Sequence, residues 1–151
     1  MRVDMSYKPH YRYKPPIWPS LIWAYDAVCC LFGIGRSFRL RILESVDLRG
    51  EDTVLDVGCG TGVLLALLKG TRPGVHVVGI DPDQKALEIA GKRLHGHENV
   101  ELIRAFAESL PRADESVDVC LSTFALHHMP GETKQKAVRE MHRVLKKGGR
   151  S

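Results

Sequence analysis

The stretch at residues 54–62, Val-Leu-Asp-Val-Gly-Cys-Gly-Thr-Gly, limits what this chain can fold into more than any other. An apolar run that breaks into alternate glycines reads as a buried strand turning sharply into a helix. Glycine is needed where the backbone takes positive φ, or where another group must approach with no Cβ in the way. Gly58, Gly60 and Gly62 therefore predict a bare floor for a ligand, with the N–H groups of the following helix start facing the same spot.

From residue 53 onward the pattern alternates. Short apolar runs at 53–57, 75–80, 100–103 and 117–122 read as strands, the second rich in β-branched residues. Residues 63–69, 83–94 and 131–147 read as helices, the last capped by Gly148 and Gly149. Uniformly apolar strands between helices imply a parallel sheet covered on both faces, an α/β fold. Upstream, 20–32 and 36–46 read as two helices, the second presenting Phe38, Ile42 and Val46 on one face. Residues 1–19, rich in Pro, Tyr and basic side chains, predict an extended arm ahead of a single domain at 20–151.

Bulk properties exclude several classes. A net charge of +4 is mild and does not single out nucleic acid as a partner. The basic residues that crowd the end of the chain, from Lys134 to Arg150, read as a solvated helix face. Cys29, Cys30, Cys59 and Cys120 show no metal-ligand spacing, so they read as reduced, buried thiols of a cytoplasmic protein. The apolar stretch at 21–32 falls short of the roughly 20 residues a membrane span needs and carries Asp26, so no transmembrane segment is expected.

The second strand ends in Gly79-Ile80-Asp81-Pro82. Ligands in such sheets bind outside the carboxyl ends of the strands, where strand order reverses. There a carboxylate at Asp81 can accept both hydroxyls of a ribose, and Pro82 can wall off a base. The dinucleotide fingerprint G-x-G-x-x-G fails, because Val63 stands where its third glycine belongs. Asp56, just upstream of the loop, would repel phosphate and attract an ammonium or sulfonium group. A positively charged ligand with a ribose is implied, and S-adenosylmethionine is one.

VLDVGCGTG, GIDPD, AESLP and the run at 117–129 together resemble the class I S-adenosylmethionine-dependent methyltransferases, especially the ubiquinone/menaquinone-biosynthesis C-methyltransferases. The resemblance covers roughly residues 25–149. It implies a Rossmann-like three-layer α/β/α fold with S-adenosylmethionine as cofactor. It also implies roles by position. The loop of Gly58, Cys59, Gly60, Thr61 and Gly62 would border the methionine part, with Asp56 on its amino group. Asp81 and Pro82 would take the ribose and base, and Ala107 and Glu108 would lie beside the adenine. Thr123 and Phe124 would line the methyl end, and Tyr25 would reach the cofactor carboxylate. One departure stands out. The family often places an Asp where this chain has Phe106, which accepts no hydrogen bond, so weaker adenine binding is expected.

His127 and His128 follow the fourth strand. His127 is a candidate base, weighed against a place in the cofactor or substrate wall, and His128 reads as structural. Neither belongs to a visible metal site. The resemblance further implies strand order 3-2-1-4, counted from 53–57, with strands five to seven of the family fold missing. The fourth strand would then be an exposed apolar edge, open to pairing in a homodimer or to cover by the arm. Two functions follow. One is methyl transfer to a small, hydrophobic O, N or C acceptor. The other is a non-catalytic module that keeps the fold and the cofactor.

Overall fold

A computed structural model describes residues 2–3, 36–123, 125–126 and 129–151. The expectations for Tyr25, Cys29, Cys30, Phe124, His127, His128, the helix at 20–32 and most of the 1–19 arm lie outside the described residues.

The described chain runs β1 (Arg2–Val3), α1 (Arg36–Ser45), β2 (Thr53–Val57), α2 (Val63–Thr71), β3 (His76–Asp81), α3 (Gln84–Arg93), β4 (Val100–Arg104), β5 (Val117–Leu121), α4 (Gly131–Val144) and β6 (Leu145–Arg150). All pairings are parallel, in the order β1-β4-β3-β2-β5-β6. The 3-2-1-4 order expected from the sequence is β4-β3-β2-β5. Strand order reverses at β2, which has β3 on one side and β5 on the other.

Alternation along the strands explains why they read as unbroken apolar runs, since each face of the sheet has its own core. Val54, Val77, Leu102 and Val119 pack with Leu65, Leu68, Leu87 and Ala90 from α2 and α3, and with Leu43 from α1. Leu55, Val57, Val78, Ile80, Ile103, Val117 and Cys120 pack on the other face with Ala137 and Val144 from α4. The glycine loop leaves the middle of this sandwich, so strands buried on both sides hold its base.

Three expectations are corrected. The inward stripe of α1 is centred on Arg39 and Leu43, both buried, while Phe38 and Ile42 are only half-buried. The Arg39 charge lies near enough to buried Asp56 to favour its carboxylate, while its aliphatic stem can cover apolar surface. At the other end, Gly148 and Gly149 do not cap α4. The helix stops at Val144, where Glu115 and Ser116 donate backbone N–H groups to the carbonyls of Arg143 (2.9 Å) and Val144 (2.8 Å). Residues Leu145–Arg150 then form β6, the fifth strand counted from β2, beside β5 in the parallel sheet, so strand five is present rather than missing and the β5 edge is not exposed. Two ion pairs anchor it, Lys146 on Asp118 and Arg150 on Asp52, each at 2.8 Å. The expectation of a homodimer through that edge loses its premise. At the opposite edge, Arg2 and Val3 of the arm pair with Ile103 and Arg104.

Candidate cofactor site

The glycine loop is fastened to the end of β3. Gly58 and Cys59 both donate to the Ile80 carbonyl (2.7 and 3.0 Å), and Gly60 donates to Asp81 Oδ2 (2.9 Å). Gly58, Gly60 and Gly62 all take positive φ, at 80°, 53° and 73°, which explains why none carries a side chain. Their surroundings differ. A Cβ on Gly58 would collide with Ala125, and one on Gly62 would lie 2.9 Å from Ala90 Cβ on α3. A Cβ on Gly60 would meet nothing within 4 Å. The bare floor expected of all three glycines is therefore Gly60, while the outer two let neighbouring elements come close. Gly62 opens α2 without a side-chain cap, so the helix start keeps unsatisfied N–H groups and partial positive charge. The Thr61 side chain is buried, and its hydroxyl accepts from Arg93 Nη1 at 2.8 Å.

Asp56 is 1% exposed, and neither carboxylate oxygen has a hydrogen-bond partner among the described residues. Burial pushes its carboxyl up to about 7, with nearby Asp81 adding to the rise and Arg39 opposing it. Across the sheet its register partners are Gly79 and Leu121, neither of which offers a polar side chain. Asp81 is also buried. It accepts from Gly60 and, through Oδ1, from the Asp83 amide at 2.8 Å. Burial raises its carboxyl to about 6 against the pull of those two N–H groups. Each carboxylate oxygen has two lone pairs, so Asp81 keeps capacity for two further hydroxyls.

Around the acids, the Pro82 carbonyl accepts from Arg104 Nε (3.2 Å), and Ala105 and Ala107 are buried beyond the end of β4. Glu108 is buried rather than a surface carboxylate, with both oxygens lacking partners among the described residues. Burial holds it above the usual carboxylate range, with Lys136 opposing. Thr123 is half-buried just past β5, after Ser122, whose hydroxyl donates to the Val57 carbonyl at 2.9 Å. Cys59 and Cys120 are free and buried, and burial raises both thiols, Cys120 to about 12, so neither is a ready nucleophile. Among the described residues no cluster of three or more His, Cys, Asp and Glu could hold a metal.

Arg39 escaped the sequence reading. The signal was present, since an arginine four residues before Leu43 falls on the inward stripe of α1, and such a group needs a buried anion to face.

These residues gather at the carboxyl ends of β2, β3 and β4, beside the point where the strand order of the parallel sheet reverses. One open glycine, Gly60, lies there with two buried acids, Asp56 and Asp81. Residues 54–149 match the methyltransferase domain family. The chain is 33% identical to a demethylmenaquinone methyltransferase of Clavibacter sepedonicus over 99% of its own length and 60% of that protein. It is 32% identical to a ubiquinone/menaquinone biosynthesis C-methyltransferase of Syntrophotalea carbinolica, over 98% of this chain and 62% of that one. Among solved structures, an S-adenosylmethionine-dependent methyltransferase from Aquifex aeolicus superposes with a TM-score of 0.69 at 27% identity, covering 86% of this chain and 68% of that one. The cyclase SpnF superposes with a TM-score of 0.69 at 30% identity, over 75% and 42%. The chain belongs to the class I S-adenosylmethionine-dependent methyltransferase family. It spans about 60% of the length of these two quinone-pathway relatives. Among the described residues no helix is long and apolar enough to cross a membrane.

Proposed function

We propose that this chain binds S-adenosylmethionine and takes part in methyl transfer to a small hydrophobic acceptor. The observation that carries the reading is Asp56, a buried carboxylate beside the glycine loop with no hydrogen-bond partner for either oxygen among the described residues. Orphaned buried charge is costly, and an ammonium group delivered by a ligand offsets that cost. Asp56 takes the amino group of the methionine part, and Asp81 takes the ribose hydroxyls while holding the loop through Gly60. Ala107 and Glu108 flank the adenine. By the family resemblance, Thr123 and Phe124 are assigned to the methyl end, Tyr25 to the cofactor carboxylate, and His127 to the acceptor as a candidate base. When bound, the cofactor supplies a methyl group on a positively charged sulfur, a good leaving group. The protein's part is then mainly to align the acceptor in line with that bond and to keep water out. The quinone-pathway names of the relatives support an aromatic, apolar acceptor.

Calorimetric titration with S-adenosylhomocysteine and with NAD tests this. Binding of the first alone is expected, with Asp81→Ala weakening it about tenfold or more through the lost ribose bonds. Equal affinity in Asp81→Ala overturns the ribose assignment. A second reading, a module that keeps the cofactor without transferring methyl, is favoured by the likeness to a cyclase, since one fold hosts many chemistries. Release of S-adenosylhomocysteine in the presence of an acceptor separates the two.

A further inference from the structure

The two halves of the glycine loop are held by different parts of the molecule. The first half is bonded to β3, through Gly58 and Cys59 on the Ile80 carbonyl and Gly60 on Asp81. The second half is held from α3. Arg93, in the last turn of that helix, sends Nη1 to the Thr61 carbonyl at 2.5 Å and to the Thr61 hydroxyl at 2.8 Å, across 32 positions of sequence. One turn earlier, Ala90 lies under Gly62 so closely that no Cβ fits between them, and Leu94 flanks the same spot.

The other end of α3 is attached to the acid of the site. Asp83 caps the helix by accepting from the Lys85 and Ala86 amides, and its own amide donates to Asp81 Oδ1. A ring of contacts results. It runs from Asp81 to Gly60, along the loop to Thr61, across to Arg93, back down α3 to Asp83, and again to Asp81. The helix spans about 15 Å and acts as a strut. Its length fixes where the loop sits relative to the Asp81 carboxylate.

We propose that Arg93 is a positioning residue for cofactor binding, a surface arginine that sets the open glycine floor against Asp81 by gripping Thr61. The inference rests on the glycine loop and its two acids being the cofactor site. Arg93 reaches the loop through Thr61, so its effect on the ligand is exerted by way of the loop. Both bonds come from the single nitrogen Nη1, so a lysine ammonium there can still donate to the Thr61 carbonyl, though from a more flexible stem.

The test compares wild type, Arg93→Lys, Arg93→Ala and Thr61→Val in the full chain. S-adenosylhomocysteine affinity is read by calorimetry, thermal midpoint by unfolding, and exchange of the Gly60 amide by NMR. Arg93→Ala is expected to weaken binding about tenfold, with Arg93→Lys recovering most of the loss and Thr61→Val costing about threefold. The Gly60 amide should exchange faster in Arg93→Ala while amides in β4 do not. If Arg93→Ala does not fold, Arg93→Lys and Thr61→Val carry the same comparison. A lowered midpoint with unchanged affinity and unchanged Gly60 exchange reduces Arg93 to a structural contact and overturns the proposal. No binding by wild type overturns the cofactor reading and this proposal together. Tight binding by wild type and by every variant overturns this proposal alone.

Discussion

Two sets of acids lie in this sheet, and they are treated in opposite ways. Toward the β5–α4–β6 side, Asp52, Asp114, Asp118 and Glu140 each pair with a cation. Asp118 accepts from the Thr53 amide and pairs with Lys146, and these contacts hold its carboxyl below its usual value. Glu140 binds Arg143 and the Leu110 amide and is likewise lowered. Arg143 also reaches Asp114 and the carbonyls of Leu110 and Arg112. At the carboxyl ends of β2 and β3, Asp56 and Asp81 are buried deeper, and both are raised. Paired charges serve the fold. A buried carboxylate such as Asp56, whose oxygens accept no hydrogen bond among the described residues, is costly even with the Arg39 charge nearby, so its retention points to a ligand that completes it.

The largest test of that contrast is Asp56→Asn. Cofactor affinity should fall by about 3 kcal/mol, or about a hundredfold, while the unliganded protein becomes more stable because a buried charge is gone. Titration and thermal unfolding on one preparation read both signs. Loss of stability together with loss of affinity would put Asp56 in the same class as Asp118.

Arg143→Ala is the converse. It removes the cation that joins Glu140, Asp114 and two carbonyls, and should cost about 2 kcal/mol of stability, or about 6 °C in Tm. Affinity for S-adenosylhomocysteine should not change. A matching fall in affinity would mean that the two regions are coupled.

A smaller effect is expected from pH. Asp56 and Asp81 have folded-state values above their unfolded ones, so between about 4 and 7 the folded state holds more protons than the unfolded chain. Stability of the unliganded protein should therefore decline as pH rises through that window. Buried Glu108 pushes the same way. Asp118 and Glu140, being lowered, act only at more acid pH. Cofactor affinity should run opposite to stability and rise from pH 5.5 to 8, as the two acids ionise. Unfolding midpoints across that range, with and without S-adenosylhomocysteine, check both slopes.

Much of this was legible in the sequence, for reasons visible in particular residues. β2, β3, β4 and β5 could be read because both their faces are buried, which forces apolar runs such as Val54-Leu55 and Val77-Val78. The loop could be read because positive φ leaves glycine as the ready choice. β6 could not, since Lys146-Lys147-Gly148-Gly149 carries neither apolar alternation nor β-branching. Its pairing comes from the open β5 edge and from acids 28 and 98 positions away. Arg93 was hidden for a similar reason. A cation at a helix C-terminus already has an ordinary explanation in the helix dipole, and its grip on Thr61 depends on tertiary distance alone. The burial of Glu108 was equally invisible, because nothing local distinguishes it from a solvated acid after a strand.

The central claim is that Asp56 waits in the dark of the core for a ligand's positive charge. Counting protons on binding tests it most directly. S-adenosylhomocysteine is titrated at pH 6.5 in two buffers of different ionisation enthalpy, with wild type and Asp56→Asn. The account predicts release of between about a half and one proton by wild type and much less by the variant, because the carboxyl near 7 must ionise to meet the ammonium group. Binding by wild type with no proton released, or with the same release in Asp56→Asn, would contradict it.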